Sequence, residues 1–382
     1  MNGEERERIR TRERGSMDGS SYELALKLRA EFQERQLTGR IVVKGSELEW
    51  DHGRQGIARH YLSTHSIKDT VLHEWEVFLH EIKVHSGRHR HQGGLIIFVV
   101  EGEGSTEIDG EKVDWKAGDL VLLPIKPRGV EHKHYNRDPK NGCRWMAFLY
   151  EPMWNHVASE MVQLELHPEF SRRVVDQEKY VQAKVENTTG SRFYQQMDES
   201  KLYRELSGVT DGPKISPGEG LYWDLIRLRD KQRALRKVAR WVVKGEELPW
   251  ENNPQGIMRW YMHPFKEDTI IQTLIFLMQE IPPGSRSGKQ RHQGNQVSFI
   301  LEGKGYTVID GVKHFWEAGD IVQLPLRRDG VSFQHFNSDE KARIRLVSCE
   351  PNLVHATGVD RGSGFEQIEV SPHFTQEYNP EP

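Results

Sequence analysis

A group of histidines in the first half of this sequence has the spacing of a metal site. His89 and His91 are separated by one residue, so both imidazoles leave the same face if this segment is a β-strand. A third histidine, His132, follows in the segment Pro127–Asn136, which has the pattern of a second strand. Three neutral imidazoles can hold one divalent metal, whether iron, manganese, nickel, copper or zinc, and leave its other coordination positions open. We therefore predict that these three histidines are metal ligands.

Several side chains near these histidines are candidates for contact with a substrate. His134 alternates with His132 and so faces the same cavity, where it can bind the metal itself, hydrogen-bond a hydroxyl group or transfer a proton. A purely structural hydrogen bond is the alternative role for this histidine. The other candidates are His80 and Trp145, as lining of the pocket, and Arg90 and Arg144, as ligands of an anion. Their alternative roles are core packing and surface ion pairs.

Composition limits the classes of function that remain. The 382 residues exceed the usual size of one domain, roughly 100–200 residues, so two domains are expected. The net charge of −4 comes from nearly balanced acids and bases, which argues against a nucleic-acid or anionic-lipid partner. Apolar runs such as Leu95–Val100 are too short to cross a membrane, and residues 1–15 lack the apolar core of a secretory signal. Two cysteines, Cys143 and Cys349, fit a reducing compartment, so we predict a cytoplasmic protein.

The chain repeats itself at an offset of about 200 residues. The matching segments are Tyr22–Arg29 with Tyr222–Arg229, Ile41–Gly45 with Trp241–Gly245, Gln55–Ile57 with Gln255–Ile257, Trp115–Asp119 with Trp316–Asp320, and Glu151–Pro152 with Glu350–Pro351. Two copies of one domain follow from this pattern. We predict a charged tail at 1–21, a first domain at 22–175, a linker at 176–221 and a second domain at 222–382.

Each copy has the sequence pattern of an antiparallel β-domain. Short apolar or alternating runs are separated by clusters of Gly, Asp and Pro. The dipeptides Asp109-Gly110 and Asp310-Gly311 are typical of tight hairpin turns, because glycine tolerates a positive φ. Many short strands predict a sandwich, barrel or jelly roll. Helical pattern is confined mainly to residues 22–36 and 222–239, which precede the strands of each copy.

The motifs around the histidines resemble those of the cupin superfamily. The pattern consists of Gly87-x-His89-x-His91, Glu101-x-x-Gly104, Gly118-x5-Pro124 and Pro127-x-Gly129-x2-His132-x3-Asn136. The resemblance covers nearly the whole chain after residue 21 and implies a bicupin. The expected fold is therefore all-β, with two tandem cupin domains (jelly-roll β-barrels) and short flanking helices.

A narrower resemblance is to ring-cleaving dioxygenases that act on gentisate, salicylate and 1-hydroxy-2-naphthoate. The acidic metal ligand common in cupins falls at Ile96 and is absent here. These bicupins share His-Arg-His followed by Phe-x-x-Glu-Gly, matched by His89–His91 and Phe98–Gly102, and His-x-His-x-Asn, matched by His132–Asn136. The resemblance implies Fe(II), with Mn, Ni or Cu as alternatives, an aromatic substrate and O₂, contact between His134 and the substrate, and a homodimer or homotetramer.

Two departures from this resemblance affect the function. The arginine that binds the substrate carboxylate in those enzymes is replaced by Ile97, so the substrate lacks that carboxylate or another cation such as Arg88, Arg90 or Arg144 binds it. In the second copy His89 becomes Gln290 and His132 becomes Phe333, whereas His91 and His134 are kept as His292 and His335. We predict that the second domain is metal-free and structural.

The leading hypothesis is a non-haem Fe(II) dioxygenase that cleaves the ring of a hydroxylated aromatic compound. His89, His91 and His132 would bind the metal, and His134 would assist at the substrate. The first alternative is another metal-dependent cupin enzyme, such as a lyase, an isomerase or a diketone-type dioxygenase. The second alternative is a bicupin that binds a small molecule without catalysis.

Overall fold

Two sets of β-strands, one in each half of the chain, are the main regular elements of the computed structural model. It describes residues 20–170 apart from residues 127, 139, 158 and 160, and residues 218–357 and 365–375. The predicted tail lies outside the described residues except for positions 20 and 21. The predicted linker also lies outside them except for residues 218–221. The domain boundaries therefore stay predictions.

The first half begins with helix α1 (Ser21–Thr38), which is followed by short strands. The strands are β1 (Val42–Val43), β2 (Asp51–His52), β3 (Ile57–Leu62), β4 (Trp75–Ile82), β5 (Arg88–His91), β6 (Ile96–Glu101), β7 (Glu103–Ile108), β8 (Glu111–Lys116), β9 (Leu120–Leu122), β10 (Val130–Asn136), β11 (Cys143–Tyr150) and β12 (Val162–Glu165). A short helix, α2 (Glu151–His156), lies between β11 and β12.

The second half repeats this order, starting with helix α3 (Leu221–Val238). Its strands are β13 (Val242–Val243), β14 (Glu251–Asn253), β15 (Gly256–Met262), β16 (Leu274–Ile281), β17 (Lys289–His292), β18 (Gln296–Glu302), β19 (Lys304–Ile309), β20 (Val312–Glu317), β21 (Ile321–Leu324), β22 (Val331–Asn337), β23 (Ile344–Pro351) and β24 (Phe365–Glu369). Helix α4 (Val354–Thr357) stands between β23 and β24.

Each half forms a barrel from two sheets of antiparallel strands. In the first barrel the smaller sheet has the order β12-β5-β10-β7-β8, and the larger sheet has the order β13-β9-β6-β11-β4-β3-β2. In the second barrel the corresponding orders are β24-β17-β22-β19-β20 and β1-β21-β18-β23-β16-β15-β14. The predicted all-β fold of two tandem cupin-type barrels is confirmed. None of the described helices is long and apolar enough to span a membrane.

The two barrels exchange their first strands. Strand β1 pairs with β21 of the second barrel, with Val42 opposite Val322, and β13 pairs with β9 of the first barrel, with Val242 opposite Val121. The exchange is reciprocal and follows the internal repeat. Each exchanged strand thereby covers an edge, that of β21 or of β9, that would otherwise be the end of the sheet.

The larger sheets of the two barrels pack against each other through one apolar core. The Phe276 ring lies 5.5 Å from the Phe98 ring and 5.6 Å from the Phe148 ring, measured between ring centroids. Tyr61 and Tyr261 reach across this interface and donate their hydroxyl protons to the backbone oxygens of Gly319 and Gly118, respectively. The barrels therefore share a continuous hydrophobic core, and burial of this apolar surface holds them together.

The predicted hairpin turns and helices are present. Asp109 and Gly110 have φ angles of 49° and 86°, and Asp310 and Gly311 have 47° and 87°. Two successive positive φ angles are the property of the tight turn that an Asp-Gly dipeptide favours. Helices α1 and α3 lie close to the predicted ranges, but Gln36 is the only residue that α1 buries, and α3 buries none.

Candidate metal centre

The smaller sheet of the first barrel brings the three predicted ligands together. Strand β5 carries His89 and His91 on the face that points into the barrel, and Arg90, the residue between them, points away. Strand β10 lies beside β5 in an antiparallel pair that places His132 directly opposite His89 and Val130 opposite His91. Alternation along one strand and register between two strands thus produce a three-histidine face.

The three imidazoles are close together and buried. The ring centroids of His89 and His132 are 4.1 Å apart, those of His91 and His132 are 4.6 Å apart, and those of His89 and His91 are 5.1 Å apart. One nitrogen from each of the three rings lies within 4.8 Å of one nitrogen from each of the other two. Their exposed fractions are between 1% and 5%, so a metal ion bound by all three rings would have little contact with solvent.

The hydrogen bonds of these rings orient their free nitrogens. The Nδ1 atoms of His89, His91 and His132 face the backbone oxygens of Gly87, Gln92 and Val130, respectively. Backbone oxygens can only accept, so each Nδ1 carries the proton and each Nε2 keeps a lone pair. This is the arrangement in which a second hydrogen bond orients a metal-ligating histidine.

Burial also keeps the three rings neutral. It lowers the pKa of His89 to about 3 and that of His91 to about 4, and it lowers the pKa of His132 well below the usual value for histidine. Desolvation is the largest cause for each ring, and for His89 and His132 the charge of neighbouring histidines adds to it. Three lone pairs on neutral, converging imidazoles fit a divalent cation, because a metal binds the deprotonated nitrogen.

The larger sheet supplies an apolar wall opposite the histidines. Trp145 on β11 points into the barrel, with its ring 5.0 Å from His134. Ala147 lies two residues further along the same strand and therefore has the same orientation. Ile97 is directly opposite Ala147 on β6, and both belong to the buried apolar cluster inside this barrel. Ile97, which stands where the resembling enzymes have an arginine, is thus part of an apolar wall.

His80 and Trp145 form a pair on this wall. They are opposite each other across β4 and β11, and their ring centroids are 4.5 Å apart in an edge-to-face contact. Both are 3% exposed. His80 Nε2 and Trp145 Nε1 are buried and have no hydrogen-bond partner among the described residues. The structure therefore brings His80, Trp145 and His134 together at one side of the predicted metal site.

The predicted arginines lie elsewhere. Arg144 is 45% exposed at its side chain and bonds Glu81 at 2.8 Å and Glu101 at 3.5 Å. It precedes Trp145 on β11 and so faces away from the barrel interior. Arg90 faces away from the histidines on β5, and Arg88 is held by Glu107 and Glu131 at 2.6 and 3.2 Å. None of these three arginines therefore faces the three histidines.

Three residues of interest were not identified from the sequence. Trp154 on α2 packs against His91, with ring centroids 4.7 Å apart. Arg54 has a buried Nη2 atom with no partner among the described residues. Gly56 makes room for His80, because a Cβ at this position would lie 1.8 Å from His80 Nε2. The internal repeat contained a signal for Arg54, since the corresponding position in the second copy is Pro254.

In the second barrel the polar residues at the corresponding positions are bonded to other side chains. His292 Nε2, the atom that would bind a metal, lies 2.9 Å from a carboxylate oxygen of Glu350. Gln296 donates to the same oxygen at 3.1 Å. Gln290 donates to Gln367 instead, and Phe333 fills the position of the third ligand. Among the described residues of this barrel, no three potential ligands converge on one point.

Comparison with known proteins identifies two stretches of this chain as cupin domains. The cupin domain family (Cupin_2) matches residues 78–149 and 277–349. These stretches run from within β4 to within β11 and from within β16 to within β23. An oxalate decarboxylase variant from Bacillus subtilis has a similar structure, with a TM-score of 0.52 and 13% identity over 86% of this chain and 80% of that chain. At this identity the similarity concerns the fold alone.

Two curated enzymes are similar in sequence. The 5-aminosalicylate 1,2-dioxygenase of a Comamonas species is 24% identical over 287 residues, which are 72% of this chain and 65% of that enzyme. Gentisate 1,2 dioxygenase 1 from Aquipseudomonas alcaligenes is 25% identical over 238 residues, which are 62% of this chain and 59% of that enzyme. The match thus spans less than two thirds of the length of either relative.

Proposed function

Because this chain belongs to the cupin superfamily as a bicupin, we propose that it is a non-haem Fe(II) dioxygenase that cleaves the ring of a hydroxylated aromatic compound with O₂. The observation that carries this proposal is the face of His89, His91 and His132, which presents three neutral, buried imidazole lone pairs. The similarity to two enzymes named as 1,2-dioxygenases supports the ring-cleaving class.

The described residues have distinct roles in this reaction. His89, His91 and His132 would hold the metal, which when bound supplies charge stabilisation and joins the electron-rich substrate to O₂. The three ligands are neutral, so the site keeps the full charge of the cation and leaves positions for a bidentate phenolic substrate. The wall that contains Ile97 and Ala147 would pack against the ring and exclude water. His134 would hydrogen-bond a substrate oxygen.

The substrate that best fits this pocket lacks a carboxylate at the Ile97 side. An ionised carboxylate placed against an apolar wall would be desolvated without a partner, which is costly. Arg88, Arg90 and Arg144 do not face this space. Catechol-type, hydroquinone-type and aminophenol-type compounds are therefore favoured over gentisate and salicylate. Arg54 is a further candidate cation for a carboxylated compound, since its Nη2 atom is buried without a partner among the described residues.

The second barrel would serve the assembly rather than the chemistry. In this barrel His292 is bonded to Glu350, and Phe333 occupies the position of the third ligand. Both observations support a metal-free domain. The exchanged strands and the shared apolar core would make it a structural partner of the first barrel. A homodimer or homotetramer remains part of this proposal.

The test is metal analysis followed by oxygen uptake. Purified full-length protein should contain one metal per chain, and reconstitution with Fe(II) should give oxygen consumption with at least one member of a substrate panel. The panel contains catechol, hydroquinone, aminophenols, gentisate, salicylate and hydroxynaphthoates. Ring cleavage would appear as a new absorbance and as incorporation of labelled oxygen. Absence of stoichiometric metal together with absence of oxygen uptake over the whole panel would refute the proposal.

A further inference from the structure

A hydrogen-bonded chain of three buried side chains leads from the outer strands of the smaller sheet to His134. The indole Nε1–H of Trp115 donates to Thr106 Oγ1 at 2.8 Å, and Thr106 Oγ1 lies 2.8 Å from His134 Nδ1. The three residues are 3%, 0% and 2% exposed, respectively. Solvent therefore does not compete for these hydrogen bonds.

The donors and acceptors in this chain can be counted. An indole N–H can only donate, so the Thr106 oxygen accepts from Trp115. The Thr106 hydroxyl has one proton, and His134 Nδ1 is its acceptor among the described residues. If His134 Nδ1 carried a proton instead, the hydroxyl proton would be buried without a partner. Thr106 Oγ1 and His134 Nδ1 are both satisfied within this chain only when Thr106 donates to Nδ1, which places the proton of the neutral imidazole on Nε2.

The position of β10 determines where this Nε2–H points. Strand β10 lies between β7, which carries Thr106 opposite His134, and β5, which carries His89 and His91. The two nitrogens of an imidazole point away from each other, so a ring whose Nδ1 is held at β7 directs Nε2 towards the β5 side. His132, two residues before His134 on β10 itself, has its ring 5.5 Å from that of His134.

We propose that Thr106 and Trp115 are positioning residues that hold His134 as the Nε2–H tautomer, so that His134 donates a hydrogen bond to an oxygen of the metal-bound substrate. This inference rests on the proposed function for its catalytic consequence, but the tautomer itself does not depend on it. Among the roles that the sequence left open for His134, it selects a hydrogen-bond donor to the substrate over a base that removes the substrate's proton.

The second barrel contains the same chain without the metal ligands. Trp316 Nε1–H donates to Thr307 Oγ1 at 2.8 Å, and Thr307 Oγ1 lies 2.8 Å from His335 Nδ1. The network is therefore a property of the repeated fold, and only the first copy places it beside a three-histidine face. Thr307→Val removes the same hydroxyl from the same surroundings, so it is a matched control for Thr106→Val.

The tautomer is measured by nitrogen-15 NMR of histidine-labelled, full-length protein loaded with diamagnetic Zn(II). The signal of His134 is identified by its loss in His134→Asn. We expect an Nε2–H pattern for His134 in the wild type and in Thr106→Ser, and a mixture of tautomers in Thr106→Val. Thr307→Val should change the signal of His335 alone. An Nδ1–H pattern in the wild type, or an unchanged tautomer in Thr106→Val, would overturn the proposal.

Turnover gives the second measurement. With Fe(II) and the best substrate of the panel, Thr106→Val should lower kcat by about tenfold or more while KM changes much less, because the lost interaction acts at the reacting oxygen. Thr106→Ser should restore most of the activity, and Thr307→Val should leave it unchanged. Equal losses in Thr106→Val and Thr307→Val would show a merely structural role. If no panel compound is turned over, the proposed function fails while the NMR result still decides the tautomer.

Discussion

At the scale of single residues, His91 and His292 occupy the same position of the repeat and differ in their partners. His91 faces two other imidazoles, whereas His292 is bonded to Glu350. We predict that His91→Ala lowers the metal content from one per chain to near zero, because the remaining pair of imidazoles lacks the third ligand. His292→Ala should leave the metal content unchanged. Elemental analysis of both variants after dialysis provides the measurement, and metal loss in His292→Ala would contradict a metal-free second barrel.

Gly56 and Gly256 form a second pair of equivalent residues. A Cβ at Gly56 would lie 1.8 Å from His80 Nε2, whereas a Cβ at Gly256 would lie 3.1 Å from the flexible amide of Gln279. Both glycines have positive φ angles, 157° and 136°, so backbone strain largely cancels in the comparison. We expect Gly56→Ala to lose roughly 1–3 kcal/mol more stability than Gly256→Ala, since an overpacked core residue must move.

Denaturant unfolding of these two variants measures the difference. In a Gly56→Ala structure, the His80 ring should be displaced from Trp145, which it contacts edge-to-face in the native arrangement. Equal stabilities of the two variants, with His80 in place, would show that this close approach has no energetic consequence.

At the scale of elements, two buried carboxylates hold the exchanged strands. Asp119 accepts from Lys244 at 2.8 Å and from the backbone of Gly245 at 3.1 Å, both from the other half of the chain. Asp320 accepts from Lys44 at 2.6 Å and from the backbone of Gly45 at 3.0 Å. Each carboxylate is 1% exposed. These contacts link the segment after each exchanged strand to the opposite barrel.

We predict that Asp119→Ala and Asp320→Ala destabilise the protein by similar amounts, roughly 1–3 kcal/mol for each buried donor left without a partner. The control is Glu246→Gln, which removes the exposed ion pair between Lys116 and Glu246 and should lower the stability much less than either aspartate variant. Urea unfolding, monitored by fluorescence, measures the stability of all three variants. Because the barrels share strands and core, a single cooperative transition is expected, and separate transitions for the two barrels would contradict this linkage.

The exchange of strands shows what the sequence could not reveal. The residues Ile41–Gly45 have the pattern of a strand, but a two-residue pairing such as Val42–Val43 with β21 has no periodic signal that names its partner. The repeat predicted the number of domains and the equivalence of the exchanged segments. It could not show that each segment crosses to the other copy, since pairing over 280 residues depends on tertiary packing.

Only part of the candidate site could be predicted, again because local sequence patterns do not show which distant segments come into contact. Alternation fixed the common face of His89 and His91, and the repeat identified Gln290 as the change in the second copy. By contrast, the sequence match of Glu151-Pro152 with Glu350-Pro351 was wrong as a match of strand positions. Glu350 lies opposite Ile275, and the residue in the equivalent position of the first barrel is Leu149, which lies opposite Glu76. Glu350 therefore points into the second barrel towards His292, which sequence spacing alone did not indicate.

At the scale of the whole molecule, buried histidines make stability depend on pH. Burial lowers the pKa of His80 to about 3 and that of His335 to about 4, whereas an unfolded chain has a histidine pKa near 6.5. The unfolded state therefore binds more protons below this value, and stability is fully present above about pH 6.5. It should fall as the pH decreases towards 4, by up to about 1.4 kcal/mol per pH unit for each such histidine.

Unfolding of metal-free protein at a series of pH values tests this dependence. His80→Gln introduces the residue that occupies this position in the second copy, Gln279. This variant should reduce the slope of the free energy of unfolding against pH, between pH 6 and 4, by the contribution of one histidine. A slope that is the same in the wild type and in His80→Gln would show that His80 does not contribute.

The exposed helices bear on the predicted oligomer. Leu221, Leu225 and Leu228 on α3 are 84%, 65% and 52% exposed, and their spacing of four and three residues is that of a helix that packs against another helix. An 18-residue helix without buried residues gains little from propensity alone, since isolated helices of this length are marginal in water. Because α1 repeats this exposure at Tyr22 and Leu26, we expect both helices to pack against a second copy of the chain.

The double variant Leu225→Glu/Leu228→Glu should therefore lower the mass of the particle in solution. Light scattering coupled to size-exclusion chromatography measures this mass, and circular dichroism shows whether α3 stays helical. Val312→Glu is the matched control, because Val312 is 58% exposed on a strand remote in sequence from both helices. A wild-type monomer would rule out a partner copy at this surface. An oligomer of unchanged mass in the double variant would place the contact between copies elsewhere, since two buried carboxylates at a helix–helix contact are not tolerated without partners.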